Sequence, residues 1–237
     1  NRPLSDLSRS FYQDACHGHA IVYADEISNR KLRPYITYPQ GNFASPVFHG
    51  ERPDPMPHYE MTGNPVSIAF SEQSPPVKMR SFKLYQDTKE IKDVKILDKD
   101  NDPNRLLTER QFALFPLQPL EYDTDYRAVF EYRQNGKDRT AEWTFSTQKP
   151  DYPYFIVKGG ETLAIESGQK YFIHWQDFWC LKQCERYNYR MNRDTQIDII
   201  ERQAGGIIIR VNGSKGSSIR LMPEGEDRRA ITLYLWK

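Results

Sequence analysis

Two stretches hold the residues best able to do chemistry. "DKDNDPNRLLTE" (98–109) sets Asp98, Asp100, Asp102 and Glu109 at positions one, three, five and twelve, the ligand spacing of a calcium-binding EF-loop. That loop needs glycine at position six for its sharp turn. Pro103 stands there instead, with φ locked at about −65°. The preceding "DVKIL" alternates rather than reading as a helix, so an acidic turn between strands is the better reading and calcium is not favoured. "CHGH" offers Cys16, His17 and His19, to which Cys180 and Cys184 could add ligands. Structural zinc sites usually pair ligands at short spacing on both sides. Nothing in the sequence ties these two ends together, so no metal and no cofactor is assigned.

The second stretch is "WQDFWCLKQCERYNYR" (175–190). Phe178 and Trp179 fall past the alternation that precedes them, in a loop, and Tyr187 and Tyr189 would share one face of a strand. Exposed aromatics on a β-sandwich can stack a sugar ring, which makes Phe178, Trp179, Tyr187 and Tyr189 candidate ligand contacts. Against this, large aromatics are more often buried than displayed. Trp179 folded over the sheet end, with Cys180 and Cys184 as a candidate disulfide, gives a pinned loop, and this reading is preferred. With three cysteines in the chain, one thiol would be left over in an exported protein, whereas all three could stay reduced in a cytosolic one.

Nucleophilic catalysis has little support. There is no Gly-x-Ser-x-Gly elbow, and on a strand Cys16 and His17 would point to opposite faces. Gly159-Gly160 and Gly205-Gly206 lack a following helix and a phosphate-loop pattern. No catalytic residue is assigned, and a non-enzyme is expected. The 33 basic and 32 acidic residues nearly cancel, so nucleic acid or an anionic membrane has no global electrostatic pull on the chain. No apolar run approaches the ~20 residues that cross a bilayer. "NRPLSDLSRS" is polar from its first residue, so the chain reads as a mature product, a trimmed piece or a fragment, and an export signal could have been removed.

These residues must be positioned by strands. "VSIAF" puts Val66, Ile68 and Phe70 on one face, "SFKLY" does so with Phe82 and Leu84, and "DVKIL" with Val94 and Ile96. "YRAVFEY" aligns Tyr126, Ala128, Phe130 and Tyr132, and "AEWTF" aligns Ala141, Trp143 and Phe145. Period-two runs separated by Pro, Gly, Asn and Asp read as antiparallel strands. Asn135-Gly136 in "RQNGKD" is a strong hairpin signal. Prolines in "SPVFHGERPDPMP" and "QSPPV" mark connecting segments. Helical periodicity is confined to "SDLSRSFYQDAC", where Ser5 or Ser8 would cap a short helix. "QKPDYP" reads as a linker, and beyond it alternation restarts in "ETLAIESGQKYFIHW", "TQIDIIERQAGGIIIRV", "SSIRLM" and "RRAITLYLW".

"PLEYDTDYRAVFEYRQNGKDRTAEWTFST" resembles the last two strands of bacterial immunoglobulin-like domains, through Pro119-Leu120, Thr124, Tyr126, Gly136, Trp143, Phe145 and Thr147. Tyr126 would return its hydroxyl to upstream backbone, as a tyrosine corner does, and Trp143 and Phe145 would be buried between the sheets. Upstream, Tyr38-Pro39, Gly50-Glu51, Pro53-Asp54-Pro55, Gly63 and Pro65-Val66-Ser67 resemble the segment that follows the CAP (SCP-like, cysteine-rich secretory protein) domain in bacterial exported proteins. "CHGHAIVYAD" lacks that domain's Gly-His-Tyr/Phe-Thr-Gln signature, so no CAP site residue carries over.

The expected architecture is all-β: an N-terminal extension over 1–33, an immunoglobulin-like β-sandwich with a Pro-rich lead-in over 34–148, and a second β-sandwich over 149–237. The expected role is a secreted, periplasmic or cell-surface module that binds protein or glycan or spaces a partner domain. The alternative is the C-terminal accessory region of a larger CAP-type protein or enzyme whose active part precedes Asn1.

Overall fold

Alternation in the sequence becomes alternation in burial. The structure, a computed structural model, describes residues 34–50, 52–176, 178–179, 186–191, 194–203 and 205–237. The candidate helix near Ser5 and the residues Cys16, His17, His19, Cys180 and Cys184 lie outside the described residues. The chain divides into two compact units, Asn1–Gln148 and Lys149–Lys237.

The first unit contains β1 (Tyr35–Tyr38), β2 (Gly41–Ala44), β3 (Val47–Phe48), β4 (Thr62–Gly63), β5 (Val66–Phe70) and β6 (Lys78–Gln86). It continues with β7 (Lys89–Glu90), β8 (Val94–Leu97), β9 (Gln111–Pro116), β10 (Asp125–Gln134) and β11 (Lys137–Thr147). One sheet runs β1-β5-β9-β8 and the other β2-β11-β10-β6-β7. The first segment is therefore split, with β1 antiparallel to β5 in one sheet and β2 parallel to the last strand, β11, in the other. This is the A-B-E-D and A′-G-F-C-C′ order of an immunoglobulin-type sandwich. Val66, Ile68 and Phe70 from one sheet meet Phe82, Leu84, Ala128 and Phe130 from the other in a single apolar core. Phe130 packs edge-on to Phe82 at 5.1 Å. Asn135 and Gly136, at φ 51° and 74°, close the β10–β11 hairpin, the two positive values a tight primed turn requires.

Strand β9 departs from simple alternation, because it is buried on both faces. Phe112 and Leu114 enter the main core, while Ala113 and Phe115 join a second cluster with Phe48, Met56, Leu97 and Leu107. The Pro-rich lead-in supplies Phe48 and Met56, so it forms a third layer over the outside of the β9 sheet. Asn104 Nδ2 donates to the Asp54 carbonyl at 2.8 Å and ties that layer to the acidic turn.

The second unit contains β12 (Tyr154–Val157), β13 (Thr162–Ile165), β14 (Lys170–Trp175), β15 (Tyr187–Met191), β16 (Thr195–Gln203), β17 (Gly206–Gly213), β18 (Ser218–Pro223) and β19 (Ile231–Leu235). Its sheets run β12-β14-β17-β16 and β13-β19-β18-β15. The order again follows A-B-E-D and A′-G-F-C, with β13 parallel to β19. One difference is that β12 runs parallel to β14, where β1 runs antiparallel to β5. The core joins Ile173, Trp175, Ile207, Ile209, Leu221 and Leu233. Both units are β-sandwiches. Among the described residues the only helical turn is the short 3-10 segment Asp227–Arg229, and no helix there is long and apolar enough to cross a membrane.

Candidate functional site

The acidic turn spends the Asp98 and Asp102 carboxylates on its own backbone. Asp98 Oδ1 accepts N–H bonds from Asp100 and Asn101 at 3.0 and 3.2 Å. Asp102 is only 5% exposed. Its Oδ1 accepts from Asn104 N at 3.0 Å, and its Oδ2 from Leu106 N and Leu107 N at 2.7 and 2.9 Å. Glu109 pairs with Arg110 at 2.6 Å. An Asp/Asn-rich loop folding on its own N–H groups is an Asx-type turn. Among the described residues no three His, Cys, Asp or Glu side chains gather as a metal set.

The aromatic stretch of the second unit is divided between two surfaces. Trp175 is fully buried, and its Nε1 donates to the Arg229 carbonyl at 2.8 Å. Tyr187 packs beside it at a tilt, 5.6 Å away inside the core, where burial pushes its hydroxyl up to about 12 against an opposing pull from Arg202. Phe178 packs on the same core beneath the Arg229 guanidinium at 4.9 Å. That guanidinium also donates to the Gln176 carbonyl at 2.9 Å. Trp179 takes a different surface. Its ring lies 4.9 Å from His174, whose side chain alternates away from Ile173 and Trp175 and whose Nδ1 is 2.8 Å from the Gly205 carbonyl. A Cβ at Gly205 would fall 2.7 Å from the Trp179 ring, so the bare glycine backbone is what admits the indole. Tyr189 stays 44% exposed on β15, an outer strand of its sheet. Phe178 and Tyr187 thus serve the core, Trp179 covers His174, and Tyr189 projects from the strand edge; the four rings do not converge on one surface.

The first unit holds a hollow that alternation did not disclose. Tyr126 and Phe145 are buried as expected, each 2% exposed. Trp143 is a correction: its ring touches the core, 5.9 Å from Phe82, yet it is only partly covered. The cause is the short partner strand. β2 meets β11 only at Phe145↔Gly41 and Thr147↔Ala44, so residues 142–144 extend past its beginning. The turn from β1 into β2 arches over the gap, with Gly41 at φ 75°. Beneath it lies a hollow of about 490 Å³ lined by Tyr35, Thr37, Gln40, Glu142, Trp143 and Thr144. Gln40 Nε2 donates to the Thr37 carbonyl and to its Oγ1 at 3.0 and 2.9 Å. Glu142 is held by Arg127 at 3.5 Å, and Arg127 in turn lies over the Tyr85 ring at 4.5 Å. Tyr35 packs edge-on to Phe70 at 5.4 Å. Trp143 Nε1 is covered and has no hydrogen-bond partner among the described residues.

No protein-family model and no curated protein matches the chain. Solved structures similar to it include the titin I-band fragment I67–I69, at 10% identity and TM-score 0.25, covering 86% of this chain and 66% of that one. Domains 4 and 5 of the S-layer protein SbsC are 13% identical at TM-score 0.23, covering 68% of this chain and all of theirs. A Parabacteroides merdae β-glucuronidase is 10% identical at TM-score 0.26, covering 86% of this chain and 25% of the enzyme. Overlaps at those scores carry no weight by themselves. The sandwich assignment rests on strand order and register within each unit, and by that measure the chain is a tandem of two immunoglobulin-type β-sandwiches.

Proposed function

We propose that the chain is a non-catalytic module of the extracellular, periplasmic or cell-surface space that binds protein or glycan and spaces a neighbouring domain. The observation that carries this reading is the repetition of one sandwich connectivity in adjoining units. Repeated β-modules present surfaces and set distances, and function then sits in loops and edges rather than in the framework. The acidic cluster, the feature nearest to catalytic chemistry, is occupied in folding its own turn. The test places labelled chain on arrays of oligosaccharides and of peptides, beside a panel of peptide, ester and glycoside substrates. Retention without turnover is expected, and enzymatic turnover of any substrate overturns the reading.

A second reading is an accessory region following a CAP-type domain. It is supported by Tyr38-Pro39, Gly50, Pro53-Asp54-Pro55 and Pro65-Val66-Ser67, the motifs that build the first strands and the Pro-rich outer layer. The reading frame ahead of Asn1 tests it: a CAP domain encoded there supports this reading, and an unrelated sequence removes it.

A further inference from the structure

We infer that the hollow beside Trp143 is a binding site for one ring of a neutral saccharide. This deepens the binding-module reading and rests on it. The first reason is the choice of residue. As a filler of the core edge, a phenylalanine would make the same kind of contact with Phe82 without an indole N–H, whereas Trp143 leaves a covered donor unsatisfied. Such a donor costs about 1–3 kcal/mol, so stability alone favours another side chain at this position. The second reason is the surroundings. A single partly open aromatic ring is bordered by a carboxylate, an amide and two hydroxyls, from Glu142, Gln40, Thr37 and Thr144. The C–H face of a sugar stacks on such a ring while its hydroxyls find acceptors and donors at the rim.

The lining also selects among ligands. Among its described lining residues the formal charge is the Glu142 carboxylate, paired with Arg127 at 3.5 Å, so the rim offers an acidic sugar no cation beyond one already engaged, and a neutral sugar needs none. A proline-rich peptide needs an aromatic-lined groove, but the Tyr35 ring is turned into the Phe70 contact, leaving only Trp143 as a platform. The polar rim is already ordered: Gln40 is fixed by Thr37, and Glu142 by Arg127. Pre-ordered groups lose little freedom on binding, which favours affinity.

The experiment uses the full chain on an oligosaccharide array carrying neutral and acidic glycans, beside an array of extended peptides. Three variants are run with it. Trp143→Ala removes the platform, and its expected loss of affinity is about tenfold or more, equivalent to roughly 1.4 kcal/mol. Trp143→Phe keeps the packing and removes the stranded donor, so its thermal midpoint is expected at or above the wild-type value while neutral-glycan binding still weakens. Thr144→Arg, at an exposed position, fills the hollow without touching the core and is expected to abolish retention. Neutral-glycan retention that responds in this pattern supports the site. Neutral-glycan binding unchanged in all three variants overturns the site and leaves the module reading standing. Retention confined to acidic glycans or to peptides overturns the neutral-sugar assignment, again without harm to the module reading. Retention by neither array overturns both.

Discussion

Replacing Tyr126 by phenylalanine separates one hydrogen bond from everything else the ring does. Tyr126 lies at the start of β10, and its hydroxyl accepts the Glu121 N–H at 2.9 Å. The ring stays stacked on Phe145 at 5.5 Å in the variant, so only the acceptor is lost. One net hydrogen bond is worth about 1 kcal/mol. With a urea slope of about 2 kcal/mol/M, the first unit's midpoint falls by about 0.5 M at about pH 8, with its slope unchanged. Alkali then reverses the sign. Burial, the largest influence, holds the Tyr126 hydroxyl well above its ordinary value; the Glu121 N–H pulls it down, and nearby negative charges add to the rise. A folded-state value raised in this way contributes stability that is full below the unfolded value of about 10 and is lost as pH climbs toward the folded one. At about pH 11 the folded phenol is still neutral while the unfolded one is mostly ionised, which favours the unfolded wild type by about 1.4 kcal/mol. Phenylalanine has no such term. The variant is therefore less stable near pH 8 and equal to or slightly more stable than wild type near pH 11. Urea melts at the two pH values, read by the fluorescence of Trp143 as the tryptophan of the first unit, measure this directly. An equal deficit at both values refutes the reasoning, as does phenolate absorbance showing every tyrosine ionising near pH 10 in the folded protein.

Three further outcomes follow from the geometry. Asp102→Ala, which strands three backbone N–H groups at a 5% exposed site, is expected to cost about 2–4 kcal/mol, and a chelator is expected to leave the wild-type melting temperature unchanged; a chelator-induced drop would restore the calcium reading. Gly159 adopts φ 131°, and an added Cβ would lie 2.2 Å from the Arg228 carbonyl oxygen, so Gly159→Ala is expected to destabilise the second unit by more than about 2 kcal/mol, checked by calorimetry. Trp179→Ala uncovers His174 and is expected to lower the second unit's midpoint, whereas Tyr189→Ala, at 44% exposure, is expected to leave it within about 0.5 kcal/mol; the opposite ranking in urea melts refutes the division of these rings between core and edge.

How much of this is legible in the sequence depends on whether a side chain's surroundings are set locally. Val66, Ile68 and Phe70 point inward because one strand face alone meets the other sheet, and period two reports that directly. Asn135-Gly136 announces its hairpin for the same local reason. The double burial of β9 is another matter: Ala113 and Phe115 are covered by Phe48 and Met56, which lie more than fifty residues earlier. The near-continuous apolar run "QFALFP" is the available signal, since strands buried on both faces lose their alternation. "KYFIHW" carries the same signal and has the same outcome, with His174 fully buried on the side away from the core. In the candidate site, the directions of Phe178 and Trp179 were not legible, because beyond a turn the two-residue period no longer orients side chains. Alternation puts Trp143 on the right face but with too much cover, since it gives direction and not the length of the neighbouring strand.

The two units differ in how far the opening segment runs along the last strand. In both sandwiches the opening segment splits, its second half joining the last strand in parallel. In the second unit β13 meets β19 at four successive positions, Thr162↔Thr232 through Ile165↔Leu235, nearly the whole of a five-residue strand. In the first unit β2 meets an eleven-residue β11 at two positions. Among the described residues the rest of β11 has no strand on that side, and an open edge invites pairing with another chain unless charge blunts it. Lys137, Asp138 and Arg139 are all exposed at its far end, and Asp138 lies 4.0 Å from Arg80. Between that charged end and the start of β2 stand Glu142, Trp143 and Thr144. With Thr140 and Ala141 they form the interval between the charged end and the β2 pairing, and the turn from β1 into β2 borders the hollow there. A compact ring needs only this interval, whereas an added strand would need the length of the edge, so the strand geometry and the polar lining argue for the same kind of ligand.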